Sequence, residues 1–154
     1  MKLQNGRMAG LQEGKTVTVT RETVEAALAD ALTAEPAVVA AYLFGSLARG
    51  TAGPLSDVDV ALLIRDLGDG EAVCGRTMDE LARRLRTSSI DVISLTEAPM
   101  PLRYRVVRDG ALVVCRDRRV VERFITDTVL HYLDFEPLRN RAFEVMRQAI
   151  LQNR

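Results

Sequence analysis

Residues 38–64 read VVAAYLFGSLARGTAGPLSDVDVALLI. Val38 to Phe44 is a short apolar run rich in β-formers, which predicts a buried strand stopping at Gly45. The chain turns there. Ser46-Leu47-Ala48-Arg49 predicts the start of a helix with Ser46 near its N-terminus, where unpaired backbone N–H groups and the helix dipole favour a phosphate. Gly45 lets that phosphate come close. A second strand follows, and because strand side chains alternate, Asp57 and Asp59 project together while Val58, Val60, Leu62 and Ile64 turn the other way. Two carboxylates about 7 Å apart along a strand, facing such a turn, are hard oxygen ligands of the kind Mg²⁺ takes together with substrate phosphates.

Taken singly, an Asp-Val-Asp is usually the wet end of a half-buried strand. Jointly, Gly45-Ser46-x-Ala48-Arg49-Gly50, five residues, then Ser56-Asp57-x-Asp59 fixes eight positions. At ordinary residue frequencies these coincide by chance about once in 10⁹ starts. A third carboxylate stands in SSIDVISL at 88–95. Ile90 to Leu95 predicts a strand with Asp91 and Ile93 on one face and Ile90, Val92 and Ser94 on the other. Asp91 is thus expected as a buried carboxylate in an apolar strand, needing a partner such as a metal shared with Asp57 and Asp59.

GSLARG at 45–50, SDVDV at 56–60 and SSIDVISL together resemble the nucleotidyltransferase superfamily of polymerase-β type. Within it they resemble the minimal nucleotidyltransferases that pair with HEPN-domain toxins as antitoxins. The similarity covers roughly residues 20–115, and Tyr132-Leu133-Asp134-Phe135 adds a weaker echo of the antitoxins' C-terminal helical segment. The resemblance implies an α+β fold, a mixed β-sheet with helices packed on it and C-terminal helices following. It implies that Gly45 and Ser46, with Arg49 and Ser56 of the same motif, hold the nucleotide. Asp57 and Asp59 would bind metal, two Mg²⁺ ions, and Asp91 would complete that site and help deprotonate the attacking hydroxyl. ATP is then the substrate, and its AMP passes by two-metal in-line displacement to a hydroxyl, by resemblance a tyrosine of a cognate HEPN ribonuclease toxin. That toxin is the expected partner, and an oligomer with it is compatible with the chain. Two alternatives stay open: transfer to a small molecule such as an aminoglycoside, and an antitoxin that acts by binding alone. The short tail after Asp117 weighs against the first, the three intact carboxylates against the second.

The 154 residues, 47% of them apolar, suit one domain with a sizeable core. Residues 1–15, with Gly6, Gly10 and Gly14 among polar residues, are expected as a flexible N-terminal segment, 16–154 as the nucleotidyltransferase domain and 117–154 as its helical extension. Basic and acidic residues balance at 21 each, so no net field draws the chain to nucleic acid or an anionic membrane. Arginines crowd into the second half, at Arg83, Arg84, Arg86, Arg103, Arg105 and Arg108, but no aromatics interleave with them, and direct nucleic-acid binding is not expected. Cys74 and Cys115 form no metal or disulfide framework, and no stretch suits a signal peptide or membrane span, so a reduced, cytoplasmic protein is expected. His131 stands alone and supports no catalytic dyad.

Thr16 to Thr20 predicts a short extended piece, after which Thr20 caps a helix from Arg21 to about Ala34 with the stripe Val24, Ala27, Leu28, Ala31 and Leu32. Asp66 to Gly70 predicts a loop, and Glu71 to Arg86 a helix burying Cys74, Met78, Leu81, Ala82 and Leu85. A helix around Leu102 to Arg108, closed by Gly110, precedes a fourth strand at Ala111 to Cys115. Two further helices, divided at Pro137, carry the stripes Val121, Phe124, Ile125, Thr128, Tyr132 and Ala142, Phe143, Met146, Ala149, Ile150. Such stripes are more often core than interface, although these follow the end of the sheet.

Overall fold

The computed structural model describes residues 18–53, 56–65 and 69–152. Residues 1–15, expected to be flexible, and 66–68 of the expected loop lie outside the described residues. Of the expected extended piece, residues 18–20 are described and form no strand. The elements in chain order are α1 (Arg21–Ala31), β1 (Val38–Phe44), α2 (Gly45–Ala48), β2 (Val58–Ile64), α3 (Gly70–Leu85), β3 (Ile90–Ser94), α4 (Met100–Asp109), β4 (Ala111–Cys115) and α5 (Arg118–Gln152). The strands form a mixed sheet in the order β3-β2-β1-β4, with β1 antiparallel to β2 and β4, and β3 parallel to β2. This is the expected α+β architecture.

Each helix is placed by a readable local cause. Thr20 opens α1 with a capping box: its hydroxyl accepts from the Thr23 N–H at 3.3 Å while Thr23 Oγ1 accepts from the Thr20 N–H at 2.9 Å. Such a cap is worth about 1 kcal/mol. Regular helix stops at Ala31, a 3₁₀ turn covers Leu32–Ala34, and the whole expected stripe is buried. Together α1 and α3 cover one sheet face, packing on Val58, Val60, Leu62 and Ile64 of β2. The first half of α5 and α4 cover the other face, around Tyr42, Ala61, Leu63, Val106 and Val121. Burial on both faces is why β1 and most of β2 read as unbroken apolar runs.

In α3 the buried face is rotated from the expected one. Val73 and Thr77 go inside with Cys74, Leu81 and Leu85, while Met78 is 39% exposed. Both sets obey helical spacing, and Met78 lies at the edge of the one chosen. Burial lifts the Cys74 thiol to about 11, with Glu97 and Asp91 adding, which fits the expected core thiol and not a nucleophile.

The largest departure is at the C-terminus. The expected division at Pro137 does not occur: α5 is one 35-residue helix with that proline inside. The proline removes the hydrogen bond to the carbonyl four residues back, Leu133. The stretch around it is on the surface, with Leu133 53% exposed. The second stripe is not core either, since Phe143 is 63% and Met146 60% exposed. Among the described residues no helix is long and apolar enough to cross a membrane.

Two buried hydroxyls, those of Tyr42 and Thr77, lack a hydrogen-bond partner among the described residues. The Tyr42 hydroxyl, in the middle of β1, is buried without a hydrogen bond, and burial raises its pKa, with Cys115 adding. Tyr42→Phe keeps the ring and removes a desolvated hydroxyl. It is expected to leave stability unchanged or raise it by about 1 kcal/mol, measured as a higher urea midpoint at constant m-value.

Candidate active site

One end of the sheet gathers the candidate residues. There β1 ends with Phe44 opposite Asp59, and β2 and β3 start side by side with Asp59 beside Asp91 in parallel register. The strand period of two places both carboxylates on the α4 and α5 face, in line with Ala61 and Ile93. Asp57 stands exposed just before β2, and the Val58 N–H donates to the Ser89 carbonyl at 2.9 Å, tying the start of β2 to the start of β3.

The turn after β1 is shaped by Asp59 as much as by any ligand. Gly45 has φ +72°, and a Cβ there would fall 2.0 Å from Asp59 Oδ2. Only glycine lets the turn and the carboxylate share this corner. Besides the phosphate role expected of it, Gly45 thus makes room for Asp59. Ser46 is half-buried in α2, a single turn whose leading N–H groups have no acceptor within the helix. The Ser46 carbonyl accepts from the Thr51 N–H at 3.0 Å, which folds the following loop back. Ser56 Oγ accepts from the Gly53 N–H at 2.8 Å and so spends part of its capacity on the loop ahead of Asp57. Arg49 caps α2, is exposed, and has no hydrogen-bonded carboxylate among the described residues.

Electrostatics bind these residues into one site. Burial pushes the Asp59 carboxyl above the ordinary range, Asp91 and then Asp57 push it further, and Arg49 opposes them. An oxygen-only set of mutually repelling carboxylates is a donor set that fits Mg²⁺. The triad is nonetheless open. Among the described residues no three acidic, histidine or cysteine side chains are drawn together closely enough to enclose an ion. The burial expected of Asp91 is corrected as well: Asp91 is exposed. The reason is topological, because β3 is the outer strand of the sheet and Asp91 is one residue from its start.

Sequence reasoning missed the contribution of α4. Ala111 pairs with Leu43, which brings the end of α4 to the same corner. There the Arg108 guanidinium donates to both Asp109 oxygens at 2.7 and 2.6 Å and holds that carboxyl below the ordinary range, with Arg49 and Arg105 adding. Arginine enrichment after residue 78 is the sequence signal for this rim, and it does not say which arginines reach the corner.

The sequence matches the family described as Polymerase beta, Nucleotidyltransferase across residues 27–119, more than half of the chain and all three carboxylates. The chain belongs to the polymerase-β nucleotidyltransferases. In fold, this nucleotidyltransferase is similar to a chain of a toxin–antitoxin crystallised with AMP-PNP, at 27% identity and a TM-score of 0.70, covering 79% of this chain and 97% of that one. It is similar at 24% identity to a chain of the toxin–antitoxin MntA-HepT, with a TM-score of 0.65 and coverage of 82% and 98%. A complex of tri-AMPylated Shewanella oneidensis HEPN toxin with MNT antitoxin matches at 24% identity and a TM-score of 0.66, over 81% of this chain and 97% of that one. No curated protein matches the nucleotidyltransferase in sequence.

Proposed function

We propose that this nucleotidyltransferase acts in the cytoplasm as an antitoxin, moving AMP from ATP to a tyrosine hydroxyl of a cognate HEPN toxin. The observation that carries the reading is the pairing of Asp59 with Asp91 across β2 and β3, next to Asp57 and to the Gly45-Ser46 turn. The acceptor is argued from likeness. The fold matches a toxin–antitoxin that holds an ATP analogue, and a HEPN toxin in complex with an MNT antitoxin is AMPylated.

Each residue then has a task. The leading N–H groups of α2 and the Ser46 hydroxyl bind the triphosphate tail, and Arg49, exposed beside them, offsets its charge. Asp57, Asp59 and Asp91 would hold Mg²⁺, which would supply positive charge against the triphosphate and acidify the acceptor hydroxyl. Asp91 takes the proton from that hydroxyl. Its exposure at the outer strand suits this, since a side chain on another protein must reach it. The phenolic oxygen bonds to the α-phosphorus as the bond from that phosphorus to pyrophosphate breaks, and pyrophosphate departs on the Arg49 side. Asp59, half-buried against Gly45, fixes the direction from which the others converge.

If the carboxylates and the turn meet on one metal-bridged nucleotide, calorimetry should detect ATP binding with Mg²⁺ and none after EDTA. Equal binding in the two conditions would remove the metal from the reading.

A further inference from the structure

The first half of α5 buries Val121, Thr128 and Tyr132 and rests Phe124 and Ile125 against the core. The same three-and-four spacing continues through Phe135, Ala142, Met146 and Ile150, so one helix face runs from the core out beyond the domain. Past Tyr132 none of the described residues covers it: Leu138 is 69%, Phe143 63% and Ile150 63% exposed. A groove of about 440 Å³ lies along this face, lined by Phe135, Leu138, Arg139, Ala142, Phe143 and Met146. With Val145 and Ala149 the apolar face spans roughly 160° of the helix at 100° per residue, wider than the seam two paired helices need. It fits a surface built from more than one helix.

Position selects the occupant. Just before α5, the Arg116 N–H donates to the Val39 carbonyl at 2.8 Å, so the helix starts at the end of the sheet away from the carboxylates. From there α5 runs to the stack of Tyr132 on Tyr104 of α4, with ring centroids 3.8 Å apart and planes 1° from parallel. That stack holds the two helices together, and α4 itself ends at the carboxylate corner. The helix thus passes from the far end of the sheet to the middle of α4, and the residues after Tyr132 continue about 30 Å beyond that point.

We infer that the apolar face of α5 beyond Tyr132 docks the acceptor protein, a helical partner held beside Asp57, Asp59 and Asp91 for transfer. The inference rests on the reading given under Proposed function. The face supplies binding to the protein acceptor and none to the nucleotide.

The test is transfer to the purified cognate HEPN protein by Phe143→Glu/Met146→Glu, two exposed positions whose change leaves the fold intact, checked by circular dichroism and melting. KM for the HEPN protein should rise at least tenfold, with kcat and ATP affinity unchanged. Glu144→Gln, on the polar side of the same helix, should leave KM as it was. An unchanged KM in the double variant, with the wild type labelling normally, overturns the docking inference and leaves the transfer reading standing. So does a wild-type dimer in light scattering that the double variant splits without changing KM, since a second copy is then the occupant. A wild type that labels no HEPN protein overturns both.

Discussion

Asp59→Asn is expected to lower AMP transfer by about a thousandfold or more, some 4 kcal/mol of barrier, and at the same time to raise the melting temperature at pH 7. The two effects have one cause. Asp59 is pressed against Gly45 and held near Asp91 and Asp57, so its charge is unfavourable in the folded protein until a cation arrives. Its folded pKa lies above the unfolded value, so the native state binds more protons and stability falls as pH rises through that window. Removing the charge restores that stability above the window and changes nothing below the unfolded pKa, where the carboxyl is protonated in both states. Melting curves of wild type and variant should therefore converge on acidification and separate by a few degrees near neutrality. Asp57→Asn should lose transfer equally with a smaller gain in stability, because Asp57 is exposed. A variant that melts well below the wild type at pH 7 would make Asp59 a structural residue instead.

Gly45→Ala is the second large effect, and Gly50→Ala is its control. Both glycines have a left-handed backbone, at φ +72° and +71°, so an alanine costs about 1–2 kcal/mol at either position. At Gly50 nothing lies within 4 Å of the added methyl, whereas at Gly45 it would fall 2.0 Å from Asp59 Oδ2. Transfer should persist within severalfold in Gly50→Ala and drop at least a hundredfold in Gly45→Ala, since the carboxylate must leave its corner. Urea titrations with transfer assays on the two variants separate strain from displacement. Equal activity losses would mean that the Asp59 contact does not matter.

Most of the sheet was legible because each strand carries its own signal. Val38 to Phe44 and Ala111 to Cys115 are strands with those bounds, and the paired aspartates mark where β2 begins. The fit of Gly45 to Asp59 was not legible, because it depends on a contact between residues fourteen apart that only the antiparallel register of β1 and β2 creates. The exposure of Asp91 was missed for a similar reason: strand periodicity gives the face, not whether the strand is central or outer. Pro137 misled because an interior proline weakens a helix by one hydrogen bond and a clash but does not always end it, and α5 continues through it. The stripe after it was legible only as a face to be covered, by core or by a partner, because amphipathic spacing does not state by what.

The most direct measurement is the intact mass of the purified cognate HEPN protein after incubation with catalytic amounts of this chain, ATP and Mg²⁺. Added AMP on a tyrosine is expected, with many partner molecules modified per molecule of this chain and the modification lost with Asp57→Asn or Asp59→Asn. An unmodified HEPN protein that is inhibited only at equal stoichiometry, recovers on dilution and is inhibited as well by Asp57→Asn would contradict this expectation.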